Sequence, residues 1–160
     1  MKKSFNARFL VQSAAISAIY VVLTFIANAM GLSSGAVQVR FSEALCVLPI
    51  FTPAAIPGLF IGCILANALT GSIIIDIVFG SIATLLGAIF TRKFRSNHLL
   101  ALLPPILSNM LILPFVLKFA YNFEGSFLYF MLTIGLGEII SCGLLGKLLI
   151  EALCRRNIFK

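Results

Sequence analysis

Residues 9–30 carry no charged side chain, and apolar stretches of similar length recur through the rest of the chain. A run of about 20 apolar residues is what an α-helix needs to cross the hydrocarbon layer of a bilayer. With 61% hydrophobic and 11% charged residues and a mean hydropathy of +1.11, the chain has too little polar surface to cover a water-soluble domain. The 160 residues therefore read as a single membrane domain, with no soluble domain left over. The run at 9–30 is longer than a signal-peptide core and lacks a clear small-residue cleavage site, so it is expected to be retained as a membrane helix.

The apolar periodicity predicts an all-α protein with six transmembrane helices, at about 8–30, 41–52, 54–70, 73–91, 99–118 and 127–152. The second is short and bounded by Pro49 and Pro53. It is expected to be tilted or incomplete and to share membrane depth with the third. Charge fixes the orientation. Lys2, Lys3 and Arg8 precede the first span, Arg92, Lys93 and Arg95 follow the fourth, and Arg155, Arg156 and Lys160 follow the sixth. Six spans put these nine of the twelve basic residues on one side, which the positive-inside rule makes cytoplasmic, with both termini there. A five-span fold would divide them. Loops 31–39 and 120–126 then lie outside, and Gly31, Gly35 and Gly125 would let them fold over a ligand.

Charge placement and motif spacing exclude several functions. The net charge of +7 sits between apolar runs and forms no continuous face, so nucleic acid is not an expected partner. Cys46, Cys63, Cys142 and Cys154 make no C-x-x-C pair, which argues for buried thiols and against a disulfide framework or a metal site. Gly146 and Lys147 are followed by Leu148 and preceded at the required spacing by Ser141. That breaks the nucleotide-binding loop pattern, and no cofactor is expected. His98, the one histidine, lies in the basic loop, which removes histidine-based catalysis. An acid pair of Glu138 and Asp76 in the manner of an intramembrane protease lacks the expected glycine-motif aspartate.

Polar residues inside apolar runs are costly, about 2.5–3.5 kcal/mol for a charge at the helix centre, and normally face the bundle interior. Arg40, Glu43, Asn67, Asp76, Asn109 and Glu138 all fall at the outer half in the six-span topology and form the candidate binding site. Asp76, Gly80, Ala83, Thr84 and Gly87 make one small, polar stripe, and Gly135, Glu138 and Cys142 make another. Arg40 and Glu43, spaced i and i+3, read either as a helix-start ion pair or as the mouth of the site. Asn67 and Asn109 could equally be interhelical hydrogen-bonding residues. An excess of carboxylates over Arg40 and Lys118 suits a ligand rich in N–H donors or positively charged. Phe41, Phe51, Phe79, Phe123, Phe127 and Tyr129 are candidate stacking faces for a small heteroaromatic amine.

The blocks AIYVVLT (18–24), VQVRFSEAL (37–45), LFIGCILANALTG (59–71), DIVFGSIATLLGA (76–88), LPPILSN (103–109) and GLGEII (135–140) carry a family resemblance over nearly the whole chain. Q-x-R-x-S-E-A-L is the most specific of them. The chain resembles the QueT family, substrate-binding S components of energy-coupling-factor transporters for queuosine precursors. That resemblance implies a six-helix protein of the bacterial plasma membrane. It would capture a 7-deazaguanine base, such as 7-aminomethyl-7-deazaguanine, 7-cyano-7-deazaguanine or queuine, from outside. It implies as partners a membrane scaffold subunit and two cytoplasmic ATPases. It also implies a docking patch of the form A-x-x-x-A on the first helix, matched by Ala14 and Ala18, with Ser13 and Ser17 as a second small pair beside it. The rival readings are an S component for another vitamin or heterocycle and a stand-alone secondary carrier, the latter weakened by the lack of an inverted repeat.

Overall fold

The computed structural model describes residues 6–32, 38–122 and 124–156, and among them every regular element is helical. Helix α1 spans Ala7–Ala29 and is followed by a 3-10 helix, Phe41–Ile50. Then come α2 (Ala55–Leu69), α3 (Ile74–Lys93), α4 (Leu100–Ala120) and α5 (Phe127–Arg156). Four of them, α1, α3, α4 and α5, are long and apolar enough to cross a membrane, and the other two are shorter apolar helices. The expected loop glycine Gly35, the stacking candidate Phe123 and the basic residues Lys2, Lys3 and Lys160 lie outside the described residues.

Local sequence explains the irregular places. Pro104 and Pro105 stand in the first turn of the α-helical part of α4, where a missing N–H costs nothing. Pro114 interrupts the same helix and is followed by a wider π-helical turn, Val116–Ala120, the kind of local adjustment that proline forces. In α5 a second π-helical stretch, Ile139–Leu145, follows Glu138 directly.

The short 3-10 helix is the centre of the bundle. Glu43 and the run 45–50 are buried along it, and it packs against α1, α3 and α5. Ten residues are long for a 3-10 helix. At about 2.0 Å per residue they cover about 20 Å, where an α-helix would cover about 15 Å. Its far end is capped by Arg92 of α3, whose Nη1 donates to the carbonyls of Pro49 at 3.0 Å and Ile50 at 3.1 Å. The expected short second helix is thus present, stretched and threaded through the core.

Helices α1 and α2 meet through small residues. A Cβ added at Gly58 would lie 2.7 Å from the Ser13 carbonyl oxygen, and one at Gly62 would lie 2.9 Å from the Tyr20 Cβ, so only glycine permits this approach. Ser13 Oγ also donates to the Ala54 carbonyl at 2.8 Å. The Ser13 and Ser17 pair, anticipated as part of an outward docking patch, is therefore spent inside the bundle. Ala14 and Ala18 are exposed on the neighbouring face.

The stripe Asp76, Gly80, Ala83, Thr84 and Gly87 is buried on α3, while Ile75, Val78, Phe79, Ile82, Leu86, Ile89 and Phe90 are exposed. Three cysteines are buried as expected, but Cys154 is exposed near the end of α5, where the last turns carry charged neighbours.

Candidate functional site

Asn28 near the end of α1, Asp76 in the first turn of α3, Tyr121 just past α4 and Tyr129 in the first turn of α5 all line one cavity of about 540 Å³. The helices run alternately toward and away from it. Arg8, Arg92, Lys93, Arg155 and Arg156 accordingly gather at the opposite end of the bundle, with Arg95 just beyond α3. A cavity of this size is in the usual range for a small-molecule site.

Of the six candidate site residues, Arg40, Asn67 and Asp76 line the cavity. Arg40 precedes the 3-10 helix with an extended backbone (φ −112°, ψ 113°). Its N–H donates to Ser141 Oγ at 3.1 Å, which pins this segment to α5. Its Nη1 reaches Asn67 Oδ1 at 3.5 Å. Asp76 is buried, and its Oδ2 accepts from the Tyr121 hydroxyl at 3.0 Å. Only that oxygen is engaged among the described residues. The carboxylate also benefits from its place in the first turn of α3, where the helix dipole favours an anion. Burial, and after it the neighbouring Asp76 charge, push the Tyr121 phenol above its ordinary pKa, so it remains a donor at neutral pH.

Gly80 shapes the floor between these groups. A Cβ there would lie 3.3 Å from Asn67 Nδ2, 3.6 Å from Asp76 Oδ1 and 3.9 Å from Leu113 Cδ2. All three residues line the cavity.

Glu43, Asn109 and Glu138 are not on the cavity wall and form an inner polar layer. Glu43 Oε1 accepts from the Tyr20 hydroxyl at 2.6 Å, and Oε2 accepts from the Cys46 thiol at 3.1 Å. Asn109 Nδ2 donates to Glu138 Oε1 at 2.7 Å, while the buried Oε2 has no hydrogen-bond partner among the described residues. Leaving such an acceptor unmet typically costs about 1–3 kcal/mol. Arg40 joins the layers, since its charge acts on Asp76 and Glu43 and also on Glu138. Arg40 thus lies on the cavity wall, with Glu43 in the layer behind it. Arg40 is outside the helix, so the rule that i and i+3 lie together does not apply to it.

Asp76 and Glu138 each have their own hydrogen-bond partner, Tyr121 and Asn109. Among the aromatic candidates, Tyr129 lines the cavity, Phe79 belongs to an apolar groove with Phe115 and Phe119, and Phe51 sits beside His98 near the basic end. Tyr121, Phe130, Gln38 and Glu124 line the cavity without having been singled out as site residues. Gln38 belongs to the Q-x-R block, which is the one sequence signal that points to it. Tyr20 and Cys46 resemble ordinary apolar-run residues, and nothing in the sequence marks them as partners of Glu43.

An all-helical, multi-pass membrane protein with a cavity of mixed polar and apolar lining at one end and most of its basic residues at the other has an architecture that suits a small-molecule transporter. The chain belongs to the QueT transporter family, whose model matches residues 10–155. It is 31% identical over 102 residues to the queuosine precursor transporter QueT of Lactococcus lactis subsp. cremoris (strain MG1363). The aligned stretch spans 61% of this chain and 59% of that relative. No solved structure matches.

Proposed function

We propose that this protein is the substrate-binding S component of an energy-coupling-factor importer, and that it captures a 7-deazaguanine precursor of queuosine at the cavity lined by Arg40, Asn67 and Asp76. The observation that carries this reading is a ligand-sized cavity with a guanidinium, a primary amide and a buried carboxylate that keeps one oxygen free. A guanine-like edge presents adjacent N–H donors, which Asp76 accepts, beside a carbonyl oxygen, which Arg40 binds. Tyr129 and Phe130 supply stacking surface. The inner layer of Glu43, Asn109 and Glu138 holds Arg40 and the surrounding helices in place and does not touch the ligand in this arrangement.

The basic end is cytoplasmic by the positive-inside rule, and the cavity opens outward, with six crossings and both termini inside. The exposed Ala14 and Ala18 face docks on the scaffold subunit, which couples to two ATPases. Membership of the QueT family and the name of its Lactococcus relative support the substrate class.

A ligand panel tests the assignment. The purified protein is titrated with 7-aminomethyl-7-deazaguanine, 7-cyano-7-deazaguanine, queuine, thiamine, riboflavin and biotin. Tight binding confined to deazaguanines supports it, and tight binding of a vitamin with no deazaguanine overturns it. Uptake by vesicles that hold this chain alone would make it a stand-alone carrier.

A further inference from the structure

Resting on the deazaguanine reading, we infer that Glu124 is the residue that selects precursors with a protonated amine on the 7-substituent over neutral ones. The chain has five acidic residues, and the structure accounts for the others separately. Glu43 is held by Tyr20 and Cys46, Glu138 by Asn109, and Asp76 by Tyr121. Glu151 lies exposed near the end of α5, beside the basic residues. Among the described residues of the cavity wall, Asp76 and Glu124 are the acidic ones and Arg40 is the basic one. The wall thus carries two carboxylates against one guanidinium, and of the two only Glu124 has no hydrogen-bond partner among the described residues.

No described residue engages the Glu124 carboxylate. Its side chain is exposed at the mouth of the cavity, and the residues just after it are held against the first turn of α5. The next residue, Gly125, approaches the Phe130 ring so closely that an added Cβ would lie 2.8 Å from Cζ, and Ser126 caps the following helix by accepting from the Tyr129 N–H at 3.2 Å. Phe130 and Tyr129 both line the same cavity. Asp76 accepts the N–H edge of the base, and the carbon that bears the 7-substituent lies across the ring system from that edge. The substituent therefore points away from Asp76, and Glu124 is the one other acid on the wall. An ammonium there gains charge-assisted hydrogen bonds that a nitrile, with no donor and no charge, cannot make.

The experiment compares 7-aminomethyl-7-deazaguanine with 7-cyano-7-deazaguanine, two ligands that share the base and differ in the charge of the substituent. Wild-type protein is expected to bind the aminomethyl compound more tightly. Glu124→Gln should weaken only that compound, by about twofold to fivefold for an exposed ion pair. The affinity for the cyano compound should not change, and it doubles as the control for folding. Glu124→Asp should keep part of the preference. Equal wild-type affinity for both ligands, or an unchanged ratio in Glu124→Gln, overturns the inference while leaving the deazaguanine reading intact. If wild-type protein binds neither, the deazaguanine reading fails and the inference fails with it.

Discussion

The Tyr20 hydroxyl donates a 2.6 Å hydrogen bond to Glu43, tying α1 to the central 3-10 helix and fixing the glutamate in the core, away from the cavity that Arg40 lines. Both residues are almost fully buried, at 1% and 2% exposure. A hydrogen bond to a charged group typically contributes about 1.5–3 kcal/mol, and removing its donor leaves a buried acceptor unmet. Tyr20→Phe should lower stability by about that amount, read as a drop in the thermal midpoint of the purified protein. Ligand affinity should change far less. A large loss of affinity with unchanged stability would place Glu43 at the ligand instead.

Gly80 tests the shape of the site. A methyl group there would crowd Asn67 and Asp76 from 3.3 and 3.6 Å, distances at which the side chains must give way slightly. Gly80→Ala should weaken deazaguanine binding by about threefold, and Gly80→Val by tenfold or more, since each tenfold step is about 1.4 kcal/mol. Equal binding by all three proteins would move the ligand away from this floor.

The two small-residue pairs on α1 should behave in opposite ways. Ala14 and Ala18 are exposed, whereas Ser13 and Ser17 are buried against α2. Ala14→Leu or Ala18→Leu should abolish uptake in cells that contain the partner subunits, yet leave ligand binding by the isolated chain unchanged. Ser17→Leu should instead reduce the yield of folded protein. Normal uptake in both alanine variants would remove this face from the partner interface.

Orientation is open to thiol labelling, provided the exposed Cys154 is first replaced by serine. Asn122→Cys, beside the cavity, should react from outside, and Ser96→Cys, in the basic connection after α3, only after permeabilisation. The reverse pattern would invert the protein in the membrane.

The residues show why some of this was legible in advance. Runs of apolar residues with few charges can only be helices in a bilayer, and the Asp76, Gly80 and Thr84 spacing marks a buried face because α-helical geometry is regular. Spacing carries no direction where the backbone departs from that geometry. Arg40 is extended and 41–50 is 3-10, so spacing could not show that Glu43 points into the core. Glu124 and Tyr121 lie on the connection between α4 and α5, where no periodicity assigns a direction. Tyr20 was hidden for another reason, since an aromatic residue in an apolar run gives no sign that its hydroxyl meets a carboxylate 23 positions away.

Titration of 7-aminomethyl-7-deazaguanine into wild-type protein, Asp76→Asn and Arg40→Gln tests the account most directly. Wild-type protein should bind. Each variant removes one charge-assisted contact of about 1.5–3 kcal/mol, a loss of about tenfold to hundredfold in affinity, with the folded state retained. Unchanged affinity in both variants would contradict the claim that this cavity is where the ligand is held.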